Sequence, residues 1–334
     1  MNKRLRTPAD INGVWSIVPT PAKPNAGDWR ATDTVDVDET ARMVELLIEG
    51  GVSGILSMGT LGECATLTWP EKQKFMAALV DSARGRVPVF VGTTASNTRD
   101  TVEQSRYAYD LGADGTMLGL PHWCAISLPN AVQYYRDVAE AVPDLNIAVY
   151  ANTEAFKFDF PTPFWAQVAD IPQVVTAKYS GPATMLQDLH ALQGKVKLLP
   201  NEFSYYGCAR MDDRVDSFWS SGAVCGPNVA IHLLDLVATA RKTGDWSAAQ
   251  RFAGQMGASA ASLFPEGSFK IFSTYNIALE KVRMAAGGLI TPGPVRPPYA
   301  VTPEPYLEGA RRSGEMWAEM SKNLIAATDA PTTK

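Results

Sequence analysis

Nothing in this sequence marks a metal, dinucleotide, nucleic-acid or membrane protein. Its three histidines (His122, His190, His232) are scattered and form no HxH or HExxH pair. No catalytic metal site is therefore expected from the histidines, with carboxylate ligands left open. Its four cysteines (Cys64, Cys124, Cys208, Cys225) form no CxxC. They read as buried free thiols of a cytosolic enzyme. No GxGxxG lies between a strand and a helix, and no apolar run approaches the roughly 20 residues of a membrane span. The net charge is -5 and no Lys/Arg block stands out, so there is no basic face for nucleic acid. The basic start of the chain runs into Pro8, Ala9 and Asp10 rather than an apolar stretch, so no signal peptide is expected.

What the chain does have is alternation. Short apolar runs at 14–18, 54–57, 89–92, 115–118, 147–150, 174–178, 197–199 and 216–220 read as eight strands. Amphipathic patterns separate them. Residues 40–49 place Ala41, Val44, Leu47 and Ile48 on one face before Gly50-Gly51 stops the helix. Thr68-Trp69-Pro70-Glu71 is a capping box with an early proline and opens a helix to about residue 84. Further helices are expected over 99–111 and 130–142. Alternating strand and helix implies a parallel sheet with right-handed crossovers, and eight units fit a closed (β/α)8 TIM barrel better than an open doubly wound sheet. With 334 residues, the reading is one barrel over 8–228 that holds the active site, a C-terminal helical extension of the same domain over 229–325, and a disordered tail over 326–334. The helices of the extension are expected at 230–243, 246–263, 273–286 and 303–324.

Lys178 closes a run, Val174-Val175-Thr176-Ala177-Lys178, that otherwise reads as a buried strand. A lysine is almost never buried without a partner, and a desolvated amine loses its proton more easily and can attack a carbonyl. A second strand ends in a phenol, Ile147-Ala148-Val149-Tyr150, and the turn Gly59-Thr60-Leu61-Gly62-Glu63 follows the second strand. In a barrel, residues at the C-terminal ends of strands meet at one mouth, so these groups can converge. Each also has a plainer reading: a snorkelling lysine, a half-buried core phenol, a tight βα turn, and a helix-start carboxylate at Glu63. Their conjunction at equivalent strand ends favours imine chemistry on a 2-oxo acid.

This constellation resembles the pyruvate-dependent class I aldolase superfamily, typified by dihydrodipicolinate synthase and N-acetylneuraminate lyase. The resemblance implies that Lys178 forms the Schiff base, that Tyr150 shuttles protons with Thr60 orienting it, and that Gly59, Thr60 and Leu61 hold the pyruvate carboxylate. Three departures narrow the choice. Leu61 stands where a second hydroxyl is usual. Tyr150-Ala151-Asn152-Thr153 replaces Tyr-Asn-x-Pro and brings no arginine. His122-Trp123 replaces the synthase's paired tyrosines. Longer segments are similar to one subgroup, the aryl-ylidenepyruvate hydratase-aldolases of aromatic hydrocarbon degradation. Among them are Leu56-Ser57-Met58-Gly59-Thr60, Glu154-Ala155-Phe156-Lys157-Phe158-Asp159-Phe160, Phe218-Trp219-Ser220-Ser221-Gly222-Ala223 and Tyr275-Asn276-Ile277-Ala278-Leu279-Glu280-Lys281.

That subgroup implies an ortho-substituted trans-benzylidenepyruvate substrate, hydroxy (naphthalene route) or carboxy (phenanthrene route), with the carboxy branch looking nearer. It is hydrated and cleaved to an aromatic aldehyde and pyruvate with no cofactor beyond the imine on Lys178. The expected partner is this small aromatic 2-oxo acid, and the expected assembly is a cytoplasmic homotetramer. Trp123 and Trp219 are expected to hold the aryl ring, and Asn152 and Asn276 to place water or meet the ortho substituent; core packing for the tryptophans and helix-face solvation for Asn276 remain open beside these. A sugar-acid or aldehyde-acid aldolase, a 2-oxo acid sensor and a metal-dependent hydratase stand as alternatives.

Overall fold

The computed structural model describes residues 5–329. Among these, eight parallel strands form the centre: β1 (Gly13–Ile17), β2 (Gly54–Leu56), β3 (Val89–Gly92), β4 (Gly115–Leu118), β5 (Asn146–Tyr150), β6 (Val174–Lys178), β7 (Lys197–Leu199) and β8 (Ser217–Ser220). From β1 to β7 each strand pairs with its sequence neighbour, and β8 pairs with β1. The ring closes through a parallel bridge between Asn201 and Trp219, with the Trp219 N–H donating to the Pro200 carbonyl at 2.9 Å. This is the expected TIM barrel. Nearly every strand residue is buried on both faces, which explains why these segments read as continuous apolar runs rather than alternating ones.

Among the described residues, twelve α-helices accompany the strands. Those between strands are α1 (Val37–Glu49), α2 (Trp69–Ala83), α3 (Thr98–Leu111), α4 (Leu128–Ala141), α5 (Thr153–Phe156), α6 (Thr162–Val168), α7 (Met185–Leu192) and α8 (Tyr205–Met211). After β8 come α9 (Pro227–Thr243), α10 (Ser247–Leu263), α11 (Phe269–Gly287) and α12 (Glu304–Asp329). The helix starts follow local chemistry. Asp36 accepts the Glu39 N–H at 3.0 Å, Asn97 accepts the Asp100 N–H at 3.0 Å, and Glu71 returns a carboxylate to the Thr68 N–H at 2.9 Å. Two expected boundaries move. The division at residue 228/229 falls inside α9, which packs against β1 as the barrel's eighth helix. The segment 326–334, expected as a tail, continues α12 as far as Asp329, and the rest of it lies outside the described residues. No helix among the described residues is long and apolar enough to cross a membrane.

The extension is tied to the barrel by buried groups. The Trp317 indole of α12 donates to the Gly226 carbonyl at 3.0 Å, and its ring lies where a side chain at Gly222 would otherwise point. Glu63, in the turn after β2, is fully buried between two cations from the C-terminal region. Lys281 Nζ lies 2.7 Å from its Oε2, and the Arg296 N–H donates to Oε1 at 2.8 Å while the Arg296 guanidinium pairs with the carboxylate. Arg296 also donates to the Thr34 carbonyl at 3.0 Å. Burial, with the Arg296 charge adding to it, brings Lys281 down to about 8. Glu63 is thus not a helix-start carboxylate, since α2 begins only at Trp69: it is the strut joining the β2 turn to α11.

Removing Arg296 leaves Glu63 with Lys281 as its remaining cation and takes the donor from the buried Thr20 and Thr34 carbonyls, so a buried network loses part of its compensation in a low dielectric. Arg296→Met is expected to cost about 3–5 kcal/mol of stability, read as a fall in the denaturant midpoint with an unchanged slope. A loss under about 1 kcal/mol would contradict the strut.

Candidate active site

Tyr150 and Lys178 are the last residues of β5 and β6 and are direct register partners, so parallel pairing itself delivers both side chains to the C-terminal mouth. Lys178 is 6 % exposed. Its Nζ sits 3.6 Å from the Trp219 ring centroid and 4.5 Å from that of Tyr150. Burial lowers its pKa below the ordinary lysine value, against the opposing pull of Tyr150, Glu280 and Glu202. An aromatic face is a weak partner for an ammonium compared with water, so the neutral amine is favoured more than in solution.

The Tyr150 hydroxyl is held from two sides. It shares a 2.9 Å hydrogen bond with the Thr60 hydroxyl, and the Asn152 amide donates to it at 3.0 Å. Burial is the largest influence on this phenol and pushes it up. The nearby Lys178 charge and the hydrogen bonds from Thr60 and Asn152 together outweigh it and hold the phenol below its ordinary value. Asn152 is itself fixed, since its Oδ1 accepts the Ala155 N–H at 3.1 Å as the cap of α5. The Phe156 and Tyr150 rings meet edge to face, their centroids 5.3 Å apart.

The turn that presents Thr60 needs its glycines. A Cβ at Gly59 would lie 2.9 Å from the Met117 Cε and 3.2 Å from the Tyr150 ring, and one at Gly62 would lie 2.7 Å from the Met58 backbone nitrogen. The turn closes by the Glu63 N–H on the Thr60 carbonyl at 3.0 Å. Gly59, Thr60 and Leu61 all line the cavity.

That cavity has a volume of about 280 Å3 and unites the strand-end groups with parts of the C-terminal extension. Of the residues expected at the site, it brings together Lys178, Tyr150, Gly59, Thr60, Leu61, Asn152, Trp219 and Asn276. It does not include Trp123, which is 79 % exposed on the loop after β4, its carbonyl receiving the Lys157 ammonium at 3.1 Å. Upstream on the same loop, the Phe156 ring packs against Gly119, filling the space a side chain there would take. The apolar wall comes instead from Phe203, Leu263, Phe264, Phe269 and Phe272. Phe264 and Phe272 meet edge to face at 4.7 Å. The sequence reading missed this wall; its signal is an apolar run around Pro265 and Gly267, which brings the end of α10 and the start of α11 over the barrel mouth.

A second missed group lies on the polar side: Glu202, Ser221 and Glu280, backed by Arg283. The Arg283 guanidinium is 2.9 Å from Glu202 and 3.4 Å from Glu280, and it donates to Ser221 at 3.0 Å. Asn276, one helical turn before Glu280, has a buried Oδ1 with no hydrogen-bond partner among the described residues.

Residues 26–309 match the dihydrodipicolinate synthetase family. The trans-o-hydroxybenzylidenepyruvate hydratase-aldolase of Sphingobium xenophagum is 66 % identical over 98 % of this chain and 99 % of its own. The trans-2'-carboxybenzalpyruvate hydratase-aldolase of Nocardioides sp. (strain KP7) is 37 % identical over 97 % of this chain and 98 % of its own. The likeness is thus greater to the hydroxy relative, against the expected lean to the carboxy branch. Among solved structures, PhdJ bound to substrate intermediate superposes with a TM-score of 0.92 at 40 % identity, covering 96 % of this chain and 99 % of its own.

A desolvated amine declares itself by titration. The rate at which an amine-selective reagent modifies Lys178 is expected to rise with pH about a midpoint below the ordinary 10.5, because burial disfavours the protonated form. A midpoint at or above 10.5 would contradict the site's electrostatics.

Proposed function

The chain belongs to the dihydrodipicolinate synthetase family, and from that premise we propose that it is a hydratase-aldolase that cleaves trans-o-hydroxybenzylidenepyruvate to 2-hydroxybenzaldehyde and pyruvate. It is a lyase, as its family and its hydratase-aldolase relatives are. The observation that carries the substrate reading is the pairing of the Lys178 amine with an apolar, phenylalanine-walled cavity. A sugar acid would need hydroxyl partners along that wall. A flat aryl ring needs contact area, which Phe203, Phe264, Phe272 and Trp219 offer.

The chemistry follows from the electron demand. Lys178 condenses with the 2-oxo carbon, and the protonated imine draws electrons through the conjugated alkene. Water adds at the benzylic C4. Loss of the C4 hydroxyl proton then breaks the C3–C4 bond and leaves an aromatic aldehyde and the enamine of pyruvate. Protonation at C3 and hydrolysis free the lysine. The iminium serves as the electron sink in both steps, so the proposal requires no metal or organic cofactor. Tyr150 is the proton donor beside the imine, since its hydroxyl is held by Thr60 and Asn152. Thr60 and the Gly59–Leu61 backbone receive the substrate carboxylate.

Two features support hydroxy over carboxy at the ortho position. The unpartnered Asn276 Oδ1 suits a hydroxyl donor. The cavity's polar side holds two carboxylates, Glu202 and Glu280, against one guanidinium, Arg283, which disfavours an added anion. A place in naphthalene breakdown, a cytoplasmic location and a homotetramer belong to the same proposal.

Purified protein is expected to release 2-hydroxybenzaldehyde and pyruvate from the hydroxy substrate, and to act about tenfold or more less efficiently on the carboxy analogue. Lys178→Ala is expected to lose on the order of 10³-fold or more in turnover. Aldehyde release undiminished in Lys178→Ala would overturn the imine, and a preference for the carboxy analogue would overturn the ortho assignment.

A further inference from the structure

On the hydratase-aldolase reading, two protons remain without an owner: the one water loses when it adds at C4, and the one the C4 hydroxyl loses at cleavage. Tyr150 is tied to the strand-end region by Thr60 and Asn152. A second carrier reaches the cavity from α11. Asn276 and Glu280 lie four residues apart on one face of that helix, and both line the same cavity as Lys178. We propose that Glu280 is the catalytic proton carrier at C4, serving both hydration and cleavage, while Tyr150 serves the imine and C3.

The distinction between the two buried carboxylates is geometric. Glu202 is fully engaged: it takes the Arg283 guanidinium at 2.9 Å, the Gly222 N–H at 3.0 Å and the Ser220 hydroxyl. Glu280 has the Ser221 hydroxyl at 2.9 Å and only a long contact, 3.4 Å, to the same guanidinium. Two carboxylates that share one cation do not hold their protons equally, and the less well paired one exchanges its proton more readily. Glu202 is therefore the fixed counter-charge of Arg283, and Glu280 is the exchangeable one. Burial pushes Glu280 up from the ordinary carboxylate range; the Arg283 charge opposes it, the neighbouring Glu202 charge adds to the rise, and Ser221 pulls back more weakly.

The proton balance closes. In hydration the water oxygen bonds to C4, its proton passes to Glu280, and the alkene electrons move through C3 and C2 to the imine nitrogen. Tyr150 gives a proton to C3 and the iminium is restored. In cleavage Glu280, ionised again, takes the C4 hydroxyl proton. C4 becomes the aldehyde carbon, and the C3–C4 pair moves into the enamine, which Tyr150 protonates at C3. Exchange with solvent returns each carrier to its starting state.

The test separates the two ends of the substrate. Exchange of the C3 hydrogens of pyruvate in D2O needs the Lys178 imine and the Tyr150 proton but not Glu280. Aldehyde release from 2-hydroxybenzylidenepyruvate needs all three. Glu280→Gln is expected to keep pyruvate exchange within about threefold of the parent while losing at least about 10²-fold in aldehyde release. Glu280→Asp is expected to regain part of that loss, and Tyr150→Phe to lose both activities. The assignment is overturned if Glu280→Gln releases aldehyde within about threefold of the parent. It is overturned as well if exchange and release fall together, because Glu280 would then act through Lys178 or the fold. A parent protein that exchanges pyruvate but cleaves no benzylidenepyruvate sinks the hydratase-aldolase reading itself, a result distinct from both.

Discussion

The molecule is organised around one costly arrangement: a lysine amine kept from water at the end of a strand. Lys178 gives up hydration for two aromatic faces and the distant field of buried carboxylates. That is tolerable only in a rigid site, because a mobile side chain would reach solvent and recover its hydration. The closed barrel supplies the rigidity. Register pairing fixes Tyr150 beside Lys178, and closure of β7 on β8 brings Trp219 over the amine. The same desolvation that is unfavourable to the charged lysine makes its neutral form available as a nucleophile.

The helices after the barrel complete the site. Adjacent residues of α11 face two different buried networks. Glu280 turns to Ser221 and Arg283 at the cavity, and Lys281 turns to Glu63 in the turn that carries Thr60. One helix therefore positions the polar side of the cavity and braces the loop at the opposite end of the proposed substrate. Phe269 and Phe272 at the start of α11, with Leu263 and Phe264 before it, close the apolar side. Movement of α11 would disturb all three regions together, which couples the fold of the extension to the chemistry of the barrel.

The barrel was largely legible in the sequence because its signals are local. Buried parallel strands appear as short β-branched runs, and caps and glycines mark the helices between them, so all eight strands lie within a residue or so of their expected positions. Lys178, Tyr150 and Thr60 were legible because strand ends in a barrel share one mouth. Three things were not. The phenylalanine wall depends on how α10 and α11 fold back over the mouth, a long-range relation that periodicity does not carry. Glu202, Glu280 and Arg283 each look like ordinary surface charges until tertiary packing buries them. Trp123 follows β4 in sequence, but position after a strand does not say which way a loop side chain faces: Phe156, not Trp123, packs against Tyr150, and the indole is exposed.

The account stands on covalent bonding between one amine and the keto carbon of the substrate. The most direct measurement is the mass of the peptide carrying Lys178 after borohydride treatment in the presence of pyruvate. A gain equal to one reduced pyruvate on Lys178, absent when borohydride is omitted, is the predicted result. An unmodified Lys178 in protein that is still cleaving its substrate would contradict it.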